Sequence, residues 1–226
     1  MKGGILVCCL FTALLVFFNP AWAKRLDNKM PTRLIYAVKL GVLTIGRAEI
    51  EDLGLVNKKD LGKVKHLRVR VSTPQFKDEE NIYANPDTLY PIKIKRNLVY
   101  LGRHEQIVEL YDQEEGYVRI LKNGKETVLQ QEVPIDNVFL LIFRSQVKGI
   151  DGMDEEKVNL PTASYKIKVE DGKKIYTKMG VFDVYLVRTF PSKIKLWFDK
   201  DKGIPVRVAG AIPMLPYVLS IISMEE

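Results

Sequence analysis

Three kinds of residue along this chain stand at spacings that could do chemistry. The first is Asp199-Lys200-Asp201-Lys202-Gly203, where alternating carboxylates imitate the start of a calcium loop. A loop of that type also needs glycine at its sixth position and a bidentate glutamate at its twelfth. Ile204 and Gly210 stand there instead, and the flanks KIKLWF and IPVRV alternate as strands do. The stretch therefore reads as a hairpin turn, and no metal is expected. The second kind is Ser-x-x-Lys, which on a helix brings an amine to a hydroxyl; it occurs at Ser145–Lys148 and Ser192–Lys195. The Ser192 copy falls in a predicted strand, where positions three apart face opposite ways. The Ser145 copy suits a helix but lacks the Ser-Asp-Asn and Lys-Thr-Gly partners of that serine chemistry. The third kind is histidine. His66 and His104 lie far apart with no H-E-x-x-H spacing, which argues against a zinc site. His66 alternates with Arg68 and Arg70 and reads as a solvated strand residue; His104, between Arg103 and Glu105, reads as a solvated turn residue. No nucleophile elbow, phosphate-binding loop or dinucleotide fingerprint is present. The expectation is a protein without catalytic residues or cofactor.

Something must carry these residues, and the dominant signal is period two. In RLIYAVKL, Leu34, Tyr36, Val38 and Leu40 fall on one side of an extended strand. In KVKHLRVRV, Leu67, Val69 and Val71 share a face opposite His66, Arg68 and Arg70. PIKIK sets Ile92 and Ile94 against Lys93 and Lys95, and SYKIKVE sets Tyr165, Ile167 and Val169 against Lys166, Lys168 and Glu170. KIKLWF sets Ile194, Leu196 and Phe198 against Lys193, Lys195 and Trp197. One apolar and one charged face is the pattern of an antiparallel sheet with one wet side. Asn123-Gly124 supplies the positive φ values of a tight hairpin turn. Glu170-Asp171-Gly172-Lys173 and Asp201-Lys202-Gly203 read the same way. Thr73 to Pro91, with Pro74, Pro86 and Pro91 around Asp78-Glu79-Glu80-Asn81, reads as an irregular crossover with a helical turn.

One segment breaks the alternation. In PIDNVFLLIFRSQVKG, Asp136 is placed to cap a helix whose core is Val138 to Phe143. Six consecutive apolar residues make its surface apolar almost all round, so the helix should be buried. The simplest architecture is mainly β, of the α+β type: a curved antiparallel sheet forming a half-barrel, closed by this buried helix. Phe139, Ile142 and Phe143 share one helical face. That face is expected to meet the strand faces carrying Leu67, Val69, Ile194, Leu196 and Phe198, and these eight residues are the candidate ligand-binding surface. The tail GIPVRVAGAIPMLPYVLSIISMEE is apolar but carries Arg207, Pro213 and Pro216, which argues against an ordinary membrane helix. It reads as two edge-type or interrupted strands with the prolines at bends.

The start of the chain gives the compartment. Lys2, an apolar run from Ile5 to Phe18, and Ala21-Trp22-Ala23 describe a signal peptide over 1–23, cleaved before Lys24. The apolar run is shorter than the roughly 20 residues of a spanning helix. Residues 24–226 are then expected to form a single β-rich domain in the periplasm. Cys8 and Cys9 leave with the leader, so the exported chain has no disulfide. Loss of the leader's one lysine lowers the formal charge from +7 to +6. The charges are dispersed, with no arginine-rich block, so no nucleic-acid partner is expected, and peripheral contact with an anionic envelope surface fits.

The order of these features carries a resemblance. RLIYAVKLGVLTIGRAEIE, with Tyr36, Gly41 and Gly46, is followed by PDTLYPIKIKR, QIVELYD, the helix ending Leu141-Ile142-Phe143-Arg144, and LWFDKDKGIPVRV. The sequence from Leu34 to Leu219 resembles the exported family known as domain of unknown function 3108. Gly46-Arg47-Ala48 is similar to the end of its first strand motif. Leu196, Trp197, Asp199, Pro205, Val206 and Arg207 are similar to its last hairpin. Asp136-Asn137 stands where that family has Asp-Ser, and 151–161 departs from its pattern. The resemblance implies a half-barrel like that of periplasmic lipoprotein carriers and no catalytic residue. The function expected is binding or carrying a lipid or other hydrophobic ligand in the cell envelope. The alternative is an envelope scaffold acting through its basic outer face.

Overall fold

The computed structural model describes residues 31–212 and 215–226. The leader expected over 1–23 and Pro213 lie outside the described residues. The strands are β1 (Arg33–Leu40), β2 (Leu43–Lys58), β3 (Gly62–Ser72), β4 (Phe76–Ala84), β5 (Pro91–Tyr100), β6 (Arg103–Asp112), β7 (Tyr117–Lys122) and β8 (Lys125–Gln130). After the helix α1 (Val138–Lys148) come β9 (Lys157–Leu160), β10 (Ala163–Asp171), β11 (Ile175–Thr177), β12 (Gly180–Phe182), β13 (Val184–Phe190), β14 (Lys195–Asp199), β15 (Pro205–Ile212) and β16 (Leu215–Glu225).

Fourteen of these strands form one antiparallel sheet in the order β8-β7-β6-β5-β4-β3-β2-β1-β16-β15-β14-β13-β10-β9, with β11 and β12 as a separate hairpin. The sheet is curved and not closed into a barrel. The first and last strands meet in its middle, from Arg33↔Glu225 to Lys39↔Val218. Its two edges, β8 and β9, are held by the segment that follows β8. There the Gln131 side chain donates to the Leu160 carbonyl (2.7 Å), and the Asp136 N–H donates to the Asn159 carbonyl (2.7 Å). Gln113, in the β6–β7 turn, clamps this strap by accepting from Ile135 N–H (2.8 Å) and donating to the Ile135 carbonyl (2.9 Å).

Alternation sets which side chains face inward. Leu34, Tyr36, Leu67, Val69, Ile82, Ile94, Leu196, Phe198 and Ile221 are buried in one core with Leu140, Leu141, Ile142 and Phe143 of α1. Each such side chain contributes on the order of 1.5–3 kcal/mol through removal from water. Asn123 (φ 49°) and Gly124 (φ 81°) make the left-handed pair that turns β7 into β8. In the Asp199–Gly203 turn, the Asp199 carboxylate accepts from Lys202 N–H (3.1 Å) and Gly203 N–H donates to the Asp199 carbonyl (2.9 Å). That stretch is the β14–β15 turn.

Five expectations need correction. The supposed crossover contains a regular strand, β4, paired along its length with β3 and β5. Its acids are tolerated because Arg96 and the neighbouring strands neutralise them, while Pro74 and Pro86 stay in the turns. Gly172 is not in a tight turn: its N–H continues the ladder to the Val184 carbonyl (2.9 Å), and the chain leaves for the β11–β12 hairpin before returning as β13. A Cβ on Gly172 would sit 2.7 Å from Val184, so the close approach explains the glycine. The tail strands β15 and β16 lie inside the sheet rather than at its edge, β16 pairing with both β1 and β15. The helix is capped by Asn137, whose side chain accepts from Phe139 N–H (2.8 Å), because Asp136 is engaged elsewhere. His66 is buried, stacked on Tyr83 (ring centres 4.6 Å apart) and hydrogen-bonded to Asn81 (3.0 Å); burial pushes its pKa down. A cross-strand aromatic neighbour covers it, which alternation with arginines does not reveal.

Candidate functional site

The end of the curved sheet where α1 lies is closed by a charged anchor. Arg144 immediately follows the apolar run of the helix and is buried with it. Its Nη2 donates to Asp136 Oδ2 at 2.7 Å, and Glu156 Oε1 stands 3.5 Å from the same nitrogen. The guanidinium lies 4.6 Å from the centre of the Tyr90 ring, in the β4–β5 loop. Burial pushes the Asp136 carboxyl up to about 6 against the pull of Arg144. Lys148 donates to Glu156 (3.0 Å), and the Gln146 side chain donates to the Gly203 carbonyl (3.2 Å). Three loops thereby grip the helix. Breaking one partner of such a buried pair leaves an uncompensated charge. Ser145 donates to the Ile142 carbonyl (2.7 Å), so its Ser-x-x-Lys spacing makes no serine–lysine pair. Ser192 lies in the β13–β14 connection rather than in a strand.

Outside this anchor is an open cleft of about 780 Å³. Tyr90, Tyr111, Ile92, Val133 and Pro134 give it an apolar lining, and Asn85, Thr88 and Gln113 supply polar groups.

The inner face of β4–β6 gathers a cluster of ionisable groups. Asp78 and Glu80 on β4 alternate with the core residue Ile82, and Arg96 on β5 pairs across from Glu80. Arg96 Nε and Nη2 hold Asp78 at 2.9 and 2.5 Å, and Nε stands 3.3 Å from Glu80 Oε1. On β6, Tyr111 donates to Glu109 at 2.5 Å. Burial, with Asp78 and Glu109 nearby, pushes Glu80 up to about 7 against the pull of Arg96. On the same side, Leu98 (two residues beyond Arg96) and Ile107 (paired with Arg96) are half-buried. Apolar positions and hydrogen-bonding carboxyls therefore share one surface.

The eight sequence-predicted site residues are brought together. Leu67, Val69, Ile142, Phe143, Leu196 and Phe198 are buried in one core, with Phe139 and Ile194 partly buried against it. Ile194 precedes β14 rather than lying within it. None of the eight lines the cleft beside Tyr90. Sequence reasoning missed the Asp78–Glu80–Arg96–Glu109 group and the role of Arg144. The signals were an arginine ending a six-residue apolar run and acids at alternate positions leading into Ile82. Among the described residues, no group of three or more His, Cys, Asp or Glu could hold a metal ion.

No family model and no curated protein matches the chain, so the resemblance to domain of unknown function 3108 rests on the quoted motifs alone. Among solved structures, the chain is similar to a β-barrel-like protein of domain of unknown function DUF1849 from Brucella abortus, at 12% identity. The match covers 86% of this chain and 97% of that one, with a TM-score of 0.47.

Proposed function

We propose that this protein holds a lipid or other hydrophobic ligand in the cell envelope without transforming it. The observation that carries this reading is the inner face of β4–β6, where half-buried Leu98 and Ile107 adjoin the Asp78–Glu80–Arg96–Glu109 group. An acyl chain would cover the apolar positions, and its polar end would meet the carboxyls and the guanidinium. Phe139, Ile142 and Phe143 belong instead to the closed core or pack against it. The motifs that resemble domain of unknown function 3108 fit the same reading. A scaffold acting through the basic outer face has less support. There Arg33, Arg68 and Arg70 pair with Glu49 and Glu51 at 2.7–3.4 Å rather than standing free.

Mass spectrometry of organic extracts from natively purified protein tests the proposal. A co-purifying lipid, and a rise in melting temperature on adding it back, are expected. An empty extract together with no stabilisation by any acyl compound would remove it.

A further inference from the structure

The two ends of the curved sheet carry opposite net charge. In an antiparallel run every second turn falls at the same end, so the turns β1–β2, β3–β4, β5–β6, β7–β8 and β13–β14 lie together. This end is opposite the one that α1 closes, since α1 is gripped through the β4–β5 loop and the β14–β15 turn. Large apolar side chains stand in water at its tips: Val42 is 95% exposed, Leu43 66%, Leu101 62%, Tyr100 52% and Phe190 45%. Between them the turn segments 39–44, 72–77, 99–104, 121–126 and 189–195 hold seven lysines and arginines and one acid, Glu126. At the closed end, segments 85–90, 112–116, 131–136 and 149–156 hold ten acids and no base. The lysine-bearing segments that leave this end, 58–62, 172–183 and 199–203, hold seven lysines with Asp60, Asp183, Asp199 and Asp201, so the closed end stays net acidic.

Exposed apolar side chains on separate tips of one end, interleaved with cations, fit one kind of surface. A protein partner would cover a contiguous patch, whereas separate tips can each enter a bilayer interface while the lysines meet its anionic headgroups. The acidic end would be repelled from the same surface, which fixes the orientation. We infer that the protein docks on an anionic lipid bilayer through Val42, Leu43, Tyr100, Leu101 and Phe190, with Lys125, Lys193 and Arg103 against the headgroups. The end left open by the helix then faces the membrane. This inference is independent of any ligand being held on the inner face, and an empty organic extract leaves it standing.

Hydrogen exchange of the full chain tests it, with and without phosphatidylcholine vesicles containing roughly a quarter phosphatidylglycerol. Slowed exchange is expected at 40–44 and 99–104, none at 112–116, and no slowing with phosphatidylcholine alone. Leu43→Ser with Leu101→Ser, at exposed positions that leave the fold intact, should abolish the slowing at both tips. Lys125→Glu with Lys193→Glu should weaken vesicle binding at least about tenfold, as should high salt. Equal slowing at both ends, or unchanged tips on anionic vesicles, would overturn the inference. So would a concentration-dependent dimer that protects the same tips without lipid, which would make this end a protein interface.

Discussion

The inner face of the sheet is built in two ways. On β13–β16 and β1–β3 the inward positions are mainly apolar, as with Val187, Leu196, Phe198, Ile221, Leu34 and Val69, and they pack in one core with α1. The Asp52–Lys65 ion pair (2.6 Å) at the end of β2 and β3 is an exception. On β4–β6 the same alternation delivers Asp78, Glu80, Arg96 and Glu109 to the inside. The strands are equally regular; what differs is what they face. A side chain pressed on a helix must be apolar, because an unpaired charge there would lose its water. Away from the helix, ionisable groups can be accommodated through mutual pairing. Regular strand pairing and an apolar inner face are therefore separate properties.

The largest expected effect lies on the packed side. Phe143→Ala should cost about 3–5 kcal/mol in denaturant unfolding, because the surrounding strands cannot collapse into the space. A loss below about 1 kcal/mol would mean that α1 lies loosely, as a lid, and the contrast between the two halves would vanish.

Next comes pH. Glu80 has its folded pKa raised to about 7 from an ordinary 4.5, chiefly by burial. Its contribution to stability is therefore full below the unfolded value and is lost as pH rises through about 7. Compared with Glu80→Gln, the wild type should lose roughly 2–3 kcal/mol of stability between about pH 4.5 and 8. Asp136 shifts in the same direction in both proteins, so the difference isolates Glu80. Parallel urea midpoints across that range would show that the charged half is as well hydrated as an outer surface.

Truncating one leucine in each half should give the smallest changes. Leu196→Ala, in the packed half, should cost at least about 2 kcal/mol, whereas Leu98→Ala should cost about 1 kcal/mol or less. Equal losses would show that both halves are filled to the same density.

What the sequence revealed follows the same division. KVKHLRVRV, SYKIKVE and KIKLWF announced themselves because their inner faces are apolar and their outer faces charged. β4 did not: Asp78 and Glu80 at inward positions, bracketed by Pro74 and Pro86, look like turn chemistry until Arg96 is placed across from them. Arg144 was visible only as the end of an apolar run, since its partner Asp136 is eight residues away across a helix start. His66 looked wet because its neighbours in sequence are arginines, whereas Tyr83 on the adjacent strand decides its surroundings. Half of the candidate site is thus a property of cross-strand register, which no single strand's pattern contains.

The seam between β1 and β16 has a consequence for how the protein is made. Every other neighbouring pair in the N-terminal half is also a neighbour in sequence, so β1 to β8 can zip together as they emerge. β1 alone must wait for a partner whose matching residue lies 192 positions later, from Arg33 to Glu225. Throughout synthesis its second edge is unpaired, and Leu34 to Val38, buried on both faces in the finished protein, are exposed along it. Such an edge is a template for the wrong strand. β16 is therefore the strand that makes β1 safe from aggregation, and the chain depends on being shielded until β16 arrives.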